Sequence, residues 1–405
     1  MKKFLFINNA LSGTGGARVI LNLAKVLIKR GNSVSLLLDR DDNIDFDIPE
    51  GVILYVRKGF KIRKVSENSS ATTHITLFSG AISTIHNHSF KTIKIIAKKI
   101  LTYMRLCKLP VEIFSFAQFV KVNKFDCVIN NNIYVNVDRI YFESKIAANY
   151  YVNFHNSPKE VFCRPEFTTF LSLRTIFSRS KLLSVSEGIS KELNGIAGFE
   201  QHHVQTIYNP FCFEELEWHA SGDSEKLPEE FIVTVSTLTE RKRVERAIKA
   251  FKQILQFKRQ LKLVILGDGH LRLLLQQLVK KLQIEKDVIF VGFQKNPYVY
   301  INNANLLMLT SDSEGLPTVI IESLILGTPV VSTDCPTGPN EILNGWGSEC
   351  LVNISDEVSE DRIIGDLATK SLAILQKNLT KQNIKDSGSL FRFEENTIAQ
   401  KWEQL

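Results

Sequence analysis

The sequence predicts an α/β protein with two Rossmann-like domains, each built on a parallel sheet, and three observations lead to this prediction. Short apolar runs alternate along the chain with stretches of helical period. The 405 residues are more than one hydrophobic core usually supports. A polar stretch at 219–230 interrupts the alternation, which begins again at Phe231. A second domain of the same plan is therefore expected after this stretch.

The elements of the first half are placed by length and residue type. Short, mostly apolar runs indicate strands, because the strands of a parallel sheet are covered on both faces. A stretch of helical period follows the first of these runs. The predicted strands are 4–7, 33–38, 126–130, 151–154 and 182–184, and the predicted helix is 18–29.

The second half repeats this plan. The predicted strands are 231–235, 262–266, 288–290, 306–309 and 329–333. A helix is expected to begin at Pro317, because proline suits the first helical position. Phe391, Ile398 and Trp402 recur at helical spacing, which predicts a helix at the end of the chain.

Composition and cysteine usage indicate a cytoplasmic protein. The six cysteines form no Cys-x-x-Cys pair and no histidine stands at metal-ligand spacing, so neither a zinc site nor a disulfide framework is expected. The opening MKKFLFINN has too short an apolar region for a signal peptide. No run reaches the ~18 apolar residues of a membrane span, so any membrane contact is expected to be peripheral.

The net charge of +7 is concentrated in one segment. Residues 57–108 contain eleven Lys or Arg against Glu67 alone. On a helix starting at Phe90 the basic residues fall on one face and apolar residues on the opposite one. Two interpretations stay open: a helix whose apolar stripe packs on its own core, or a surface that contacts an anionic membrane or a lipid pyrophosphate. Nucleic acid is not expected, because no aromatic platform accompanies the charge.

Two glutamates eight residues apart are the strongest functional signal. Glu314 lies in a Ser/Asp/Gly loop after the strand 306–309, and Glu322 lies in the second turn of the helix that begins at Pro317. Ligands of open α/β sheets bind at this edge, where a helix N-terminus offers free N–H groups to phosphate. A second loop, 338–341, opens another helix. The stretch therefore predicts a pocket for a nucleotide-sugar, with carboxylates accepting hydrogen bonds from hydroxyls.

Two further patterns suggest alternatives. Gly13, Gly15 and Gly16 follow the first strand, where missing side chains let a ligand approach the backbone. Their spacing departs from the Gly-x-Gly-x-x-Gly of NAD-binding units, which leaves an NAD-dependent enzyme as an alternative that nicotinamide binding would reveal. The Asp-x-Asp at 39–41 is interpreted as a solvated acidic loop, and no metal is predicted.

In these motifs the chain resembles the retaining family-4 glycosyltransferases of GT-B fold. The resemblance rests on a set of strings in the family's order: Gly13-Thr14-Gly15-Gly16-Ala17-Arg18, SVSEGISKEL at 184–193, IYNP at 207–210, VGFQKNPYVY at 291–300, EGLP at 314–317 and GTPVVSTDCPTGP at 327–339.

This resemblance implies a fold and a domain division. Two Rossmann-like domains are expected to face a deep cleft, with the acceptor bound by 1–208 and the nucleotide-sugar by 209–387. The final helix, 388–405, is expected to cross back onto the first domain.

The resemblance also implies roles for single residues. Arg241 and Lys242 stand where the family places the cations that take up the charge of a departing diphosphate. The arginine that the family usually carries at 237 is Thr237 here. His155 matches a histidine near the reacting sugar. Glu314 is expected to bind the hydroxyls of the donor sugar, and Glu322 those of the ribose.

The remaining donor-binding residues are weaker predictions from the same resemblance. They surround the phosphates and the sugar through the backbone or border the base: Gly15, Gly16, Phe293, Gln294, Gly315, Leu316, Pro317, Thr318 and Gly338. No cofactor or metal is expected.

The expected function is the transfer of a hexose or N-acetylhexosamine from an NDP-sugar, especially a UDP-sugar, to a glycan acceptor linked to a polyprenyl lipid. The setting would be bacterial surface polysaccharide synthesis on the inner face of the cytoplasmic membrane. The missing arginine at 237 motivates an alternative, a non-catalytic GT-B protein that binds a nucleotide or a glycan.

Overall fold

A computed structural model shows two sheets flanked by helices, as the alternation of elements predicts. The structure describes these residues: 1–11, 15–40, 44, 46–65, 108–133, 137–162, 169, 171–197, 199, 202–222, 227–344, 349–377, 379–387 and 390–405. The prediction of an α/β fold with two largely parallel sheets is confirmed. The amphipathic helix expected from Phe90 falls on 90–107, outside the described residues.

The first sheet has eight strands in the spatial order β4-β3-β2-β1-β5-β6-β7-β8. Their bounds are β1 (Lys3–Asn8), β2 (Ser33–Leu38), β3 (Ile53–Lys58), β4 (Lys61–Lys64), β5 (Cys127–Asn130), β6 (Tyr150–Phe154), β7 (Lys181–Ser184) and β8 (Val204–Thr206). β1 pairs in parallel with both β2 and β5. β3 and β4 form an antiparallel hairpin at one edge.

The second sheet has six strands in the order β11-β10-β9-β12-β13-β14. Their bounds are β9 (Phe231–Val235), β10 (Lys262–Leu266), β11 (Val288–Gly292), β12 (Leu306–Leu309), β13 (Val330–Thr333) and β14 (Leu351–Val352). All of its pairs are parallel. Every residue of β12 and β13 is buried, which explains why β12 is a continuous apolar run, whereas β13 ends in Ser332 and Thr333.

Helices connect the strands. They are α1 (Gly15–Lys29), α2 (108–123), α3 (Asp138–Glu143), α4 (Pro158–Phe162), α5 (Leu173–Phe177), α6 (Glu187–Asn194), α7 (Phe213–Ala220), α8 (Val244–Ile254), α9 (Arg272–Lys281), α10 (Tyr298–Asn303), α11 (Thr318–Ile325), α12 (Pro339–Ile342), α13 (Glu360–Gln376), α14 (Lys381–Ser387) and α15 (Glu395–Glu403). Short 3₁₀ turns lie at Glu240–Lys242 and Leu390–Phe393.

The terminal helix is present as predicted, with one correction to its apolar face. Ile398 and Trp402 are buried, but Phe391 is 72% exposed. Phe393 is buried in its place, with its ring centroid 5.0 Å from that of Tyr208. The backbone carbonyl of Phe393 accepts a hydrogen bond from the N–H of Phe211 at 2.9 Å, so the end of the chain is tied to 208–211.

By packing, the chain divides into two compact units. One comprises 1–13, 27–152 and 169–181, and the other 14–26, 153–168 and 182–405. This division by packing differs from the expected sheet domains 1–208 and 209–387 with 388–405, which stay a prediction.

Candidate functional site

The candidate site lies where β9 and β12 end. The strand order reverses between these two neighbours, since β10 and β11 lie on one side and β13 and β14 on the other. In open α/β sheets the ligand binds at such a reversal, outside the carboxyl ends of the strands. The segment 236–243 follows β9 and the segment 310–317 follows β12. Two groups of predicted site residues therefore share one edge of the sheet.

Glu314 is the centre of a charged cluster in these two segments. Its side chain is 7% exposed, and its Oε1 lies 2.6 Å from the Nζ of Lys242. The hydroxyl of Ser311 donates to the same oxygen at 2.6 Å. The Nη1 of Arg241 lies 3.3 Å from the other carboxylate oxygen. The structure thus joins the two predicted cations directly to the first predicted glutamate.

The ionisation of Glu314 follows from its surroundings. Burial raises the pKa of this carboxyl, but the charges of Lys242 and Arg241 and the hydrogen bonds from Lys242 and Ser311 outweigh burial. The pKa is therefore below its ordinary value, and the group is a carboxylate at neutral pH. An anion that binds to the two cations has to share them with Glu314.

Hydrogen bonds hold the two segments together. The N–H of Asp312 donates a hydrogen bond to the carbonyl of Arg241 at 2.9 Å. The Nη1 of Arg241 donates to the carbonyl of Ser313 at 2.6 Å. The hydroxyl of Thr310 lies 3.1 Å from the carbonyl of Lys242. The backbone that carries both cations is therefore fixed by the loop that carries Glu314.

Glycine is required at two positions next to Glu314. A side chain on Gly315 would place its Cβ 1.9 Å from the carbonyl oxygen of His155. Gly338 has φ +95°, and its Cβ would lie 2.4 Å from the Cδ of Pro317. The hydroxyl of Thr337 donates to the carbonyl of Glu314. The contacts of Gly338 and Thr337 pack the loops after β12 and β13 closely against each other, and the Gly315 contact packs the first of these loops against His155.

The start of α11 offers its N-terminal end at this site. The helix begins at Thr318, one residue later than predicted, and Pro317 is its N-cap. No side chain among the described residues caps it. Leu316 and Pro317 are buried, whereas Thr318 is half-buried. Backbone N–H groups and the positive end of the helix dipole at such a start favour phosphate.

Glu322 lies one turn further along α11 and is only 6% exposed. Among the described residues, no group makes a hydrogen bond or ion pair with its carboxylate. Burial raises the pKa of this carboxyl to about 7, although the positive charge of Arg18 opposes the shift. A buried carboxyl without a donor is costly, so hydroxyl donors from a ligand would stabilise its ionised form.

Arg18 is a residue that we did not predict for the site, although its motif was noticed. Its guanidinium donates to the hydroxyl of Tyr298 at 3.0 Å and to the carbonyl of Lys295 at 2.8 Å. Gly15, at the start of the same helix, lies beside α11, since a Cβ there would be 3.7 Å from the hydroxyl oxygen of Thr318. Gly16 is exposed.

His155 touches the site through its backbone, as the Gly315 contact shows. Its side chain is half-buried, and its Nε2 lies 2.9 Å from the Nδ2 of Asn153. Burial lowers the pKa of His155 to about 4, so the ring is neutral at physiological pH. The role of this histidine towards a sugar stays a prediction.

Phe293 and Gln294 stand after β11, two strands away from β9. Phe293 is 47% exposed and Gln294 is half-buried. They adjoin Lys295, whose carbonyl binds Arg18. The structure therefore places them beside the Arg18 contact and not in the cluster around Glu314.

The Gly-Asp-Gly turn at 267–269 was not predicted from the sequence. A Cβ on Gly267 would lie 1.8 Å from the carbonyl oxygen of Ser236, and one on Gly269 would lie 2.4 Å from that of Leu238. The N–H of Leu238 donates to the carbonyl of Asp268 at 2.9 Å. The signal was available, because paired glycines directly after a predicted strand indicate a close backbone approach. The turn supports 236–238, where the exposed Thr237 replaces the expected arginine.

Asp39 and Arg57 require two corrections. Asp39 was expected in a solvated loop, but its side chain is 11% exposed and lies 2.6 Å from Arg139 and 3.4 Å from Arg57. Arg57, which was counted in the basic segment 57–108, is 6% exposed and lies 2.9 Å from the fully buried Glu143. The two arginines lower the pKa of Asp39 although burial raises it. Two acids and two arginines thus form a buried network; Asp41 is outside the described residues.

The described residues contain neither a candidate metal site nor a candidate membrane span. No group of three or more His, Cys, Asp or Glu there is arranged to hold a metal ion. Within the same residues, no helix has the length and apolar character needed to cross a membrane.

The part of the chain that contains the second sheet matches a known family model. Residues 219–385 match the family model described as Glycosyl transferases group 1. The part of the chain that is similar to this family carries Arg241, Lys242, Glu314 and Glu322.

Two relatives differ in how far the similarity extends. The chain is 42% identical over 127 residues to an uncharacterized glycosyltransferase of Methanocaldococcus jannaschii. These residues make up 31% of this chain and 30% of the relative. It is 26% identical over 352 residues to the N-acetylgalactosamine-N,N'-diacetylbacillosaminyl-diphospho-undecaprenol 4-alpha-N-acetylgalactosaminyltransferase of Campylobacter jejuni. This alignment covers 86% of this chain and 85% of the relative.

Solved structures share the whole fold. The crystal structure of Anabaena Alr3699/HepE in complex with UDP and glucose superimposes with a TM-score of 0.67 at 17% identity, covering 100% of this chain and 99% of that one. The structural neighbours are GT-B glycosyltransferases. The predicted two-domain α/β fold class is confirmed.

Proposed function

We propose that the protein is a retaining family-4 glycosyltransferase that needs no metal and moves a hexose or N-acetylhexosamine from a UDP-sugar. Glycosyltransferase activity is supported by the family match. The observation that carries the proposal is the cluster at the end of β9 and β12, where Lys242 and Arg241 meet Glu314 beside the start of α11. Two cations and a helix N-terminus suit a diphosphate, and a buried carboxylate suits sugar hydroxyls.

In this proposal each group has one task. The bond between the anomeric carbon and the phosphate oxygen breaks, and Lys242 and Arg241 stabilise the charge that develops on the diphosphate. An acceptor hydroxyl oxygen forms the new bond on the same face, and its proton passes to the departing phosphate oxygen. Glu314 holds sugar hydroxyls, and Glu322 accepts hydrogen bonds from the ribose. His155 is proposed to hydrogen-bond a sugar hydroxyl in its neutral form.

The proposed acceptor is a glycan linked to a polyprenyl lipid. The name of the Campylobacter relative describes transfer to a diphospho-undecaprenol-linked sugar. We extend this acceptor class to the present chain, with surface polysaccharide synthesis at the cytoplasmic face of the membrane as its setting.

A transfer assay tests the proposed function. The protein is incubated with a panel of UDP-sugars and polyprenyl diphosphate-linked acceptors, and UDP release is measured together with the anomeric configuration of the product. We expect one UDP-sugar to be consumed with retention. Tight UDP binding without transfer to any acceptor would instead favour the non-catalytic binder that the exposed Thr237 suggests.

We also propose that the β3–β4 hairpin contacts an anionic membrane. Lys58, Lys61, Arg63 and Lys64 are exposed there, and Phe60 at its tip is 58% exposed. Each basic residue near an anionic surface contributes about 1 kcal/mol to binding. Exchange of residues 61, 63 and 64 for glutamate is expected to abolish sedimentation with phosphatidylserine vesicles. The control exchanges the exposed Lys280, Lys281 and Lys286 in the same way, and equal loss in both variants would refute the hairpin's role.

A pH dependence follows from Glu322. Because its pKa is about 7 and the ribose needs the ionised form, UDP affinity is expected to rise by about tenfold between pH 6 and pH 8. Glu322→Gln should remove this part of the dependence, leaving the titration of UDP itself. Calorimetric titrations of both proteins across this range measure the difference, and parallel curves would contradict it.

The same carboxyl affects stability with the opposite sign. Folding raises the pKa of this carboxyl. Such a group lowers the stability of the folded protein as pH rises above the pKa that the carboxyl has in the unfolded chain. The melting temperature of the wild-type protein is therefore expected to fall relative to that of Glu322→Gln as pH rises from about 5 to 8.

A further inference from the structure

A buried guanidinium lies behind the charged cluster. The side chain of Arg246, on α8, is 5% exposed. Its Nη1 lies 2.5 Å from the carboxylate of Asp312 and 3.3 Å from the carbonyl of Thr310. Its Nε and Nη2 donate to the two carboxylate oxygens of Glu360 at 3.0 and 2.6 Å. All three nitrogens of the guanidinium are thus used at once.

These contacts join three elements of the second sheet's surroundings. Arg246 belongs to the helix that follows the cations, Thr310 and Asp312 to the loop after β12, and Glu360 to the first turn of α13. Two of these partners are outside the apolar core, since Asp312 and Glu360 are 45% and 48% exposed. The network therefore fixes a loop and does not fill the core.

The same loop residues carry the backbone of the cations. Asp312 donates its N–H to the carbonyl of Arg241, and the hydroxyl of Thr310 contacts the carbonyl of Lys242. One residue therefore connects Arg246 to each cation: Asp312 to Arg241, and Thr310 to Lys242. A loop shift of about 1 Å would move the ammonium and guanidinium groups away from an anion, and such misplacement is costly in a preorganised site.

We propose that Arg246 is a positioning residue that holds Lys242 and Arg241 in place for the diphosphate of the donor. This inference rests on the proposed function. Arg246 is not a catalytic residue, since its hydrogen bonds go to protein groups. A planar fork is needed to reach Glu360 bidentately and Asp312 at the same time, and lysine, a single point charge, cannot replace it.

The test compares two ligands that differ only in the diphosphate. Affinities for uridine and for UDP are measured by calorimetry with wild type, Arg246→Lys and Glu360→Gln. We expect UDP to bind about tenfold more weakly to both variants, because this is the effect of losing one charge-assisted hydrogen bond. The affinity for uridine should stay within about twofold of the wild-type value. A general loss of structure would weaken both ligands alike, so the ratio isolates the positioning of the cations.

A matched control lies on the same helix as Glu360. Arg362 is 73% exposed and pairs with Asp366 of its own helix at 3.0 Å, so Arg362→Lys should leave the UDP-to-uridine ratio unchanged. An unchanged ratio in Arg246→Lys, or equal weakening of both ligands, overturns the positioning role while UDP binding by wild type still supports the donor site. Absence of UDP binding in wild type overturns the proposed function and this inference together.

Discussion

Lys242→Ala is expected to lower kcat/KM for the UDP-sugar by about 100-fold or more, as removal of one transition-state donor usually does. The ammonium lies 2.6 Å from Glu314 in a partly buried cluster, with its side chain 15% exposed. A charge held there is weakly screened, so it would stabilise a departing diphosphate more strongly than a solvated lysine could. Arg241, 30% exposed, is left as the second cation, and some activity should persist.

Steady-state kinetics with the UDP-sugar found in the transfer assay measure this loss. Lys249→Ala is the matched control, since this lysine is on α8 with its side chain in solvent. The control should keep wild-type kinetics and both variants should keep the melting temperature of a folded protein. A decrease in kcat/KM of less than about tenfold would exclude Lys242 from charge stabilisation.

Glu314→Gln is expected to act on transfer and on UDP in opposite directions. Transfer should fall by about 100-fold or more, because an amide replaces the carboxylate that is proposed to bind the sugar hydroxyls. UDP should bind about tenfold more tightly, because its phosphates no longer share Lys242 and Arg241 with a buried carboxylate at 2.6 and 3.3 Å. A single exchange would thus separate binding of the nucleotide from use of the sugar.

Calorimetric titration with UDP, beside the transfer assay, checks both directions. Glu322→Gln is the control. No cation among the residues that the structure describes forms an ion pair with the Glu322 carboxylate, so this exchange releases none, and UDP should bind more weakly to the variant. If Glu314→Gln also weakens UDP, then Glu314 does not compete for the cations.

Much of the fold was predictable because it depends on local patterns. The strands predicted at 231–235, 262–266 and 306–309 coincide with β9, β10 and β12. Buried parallel strands are continuous apolar runs that a sequence displays directly. The β3–β4 hairpin was missed for the opposite reason, since KIRK at 61–64 is a charged edge strand without alternation.

The site was predictable to the extent that its residues are close in sequence to strand ends. Glu314, Arg241 and Lys242 each follow a predicted strand within a few residues, so parallel topology brings them to one edge. The partners of Asp39 could not be predicted, because Arg57 and Arg139 are remote in sequence and only folding makes an acidic loop into a buried ion pair. Arg246 was hidden in the same way among the charges of α8.

The close packing of Gly315 and Gly338 restricts how the proposed donor site can be redesigned. Any β-carbon at either position collides with main chain or with a proline ring, so libraries that vary these two sites would return mostly unfolded variants. Diversity is better directed to Phe293, whose side chain is 47% exposed.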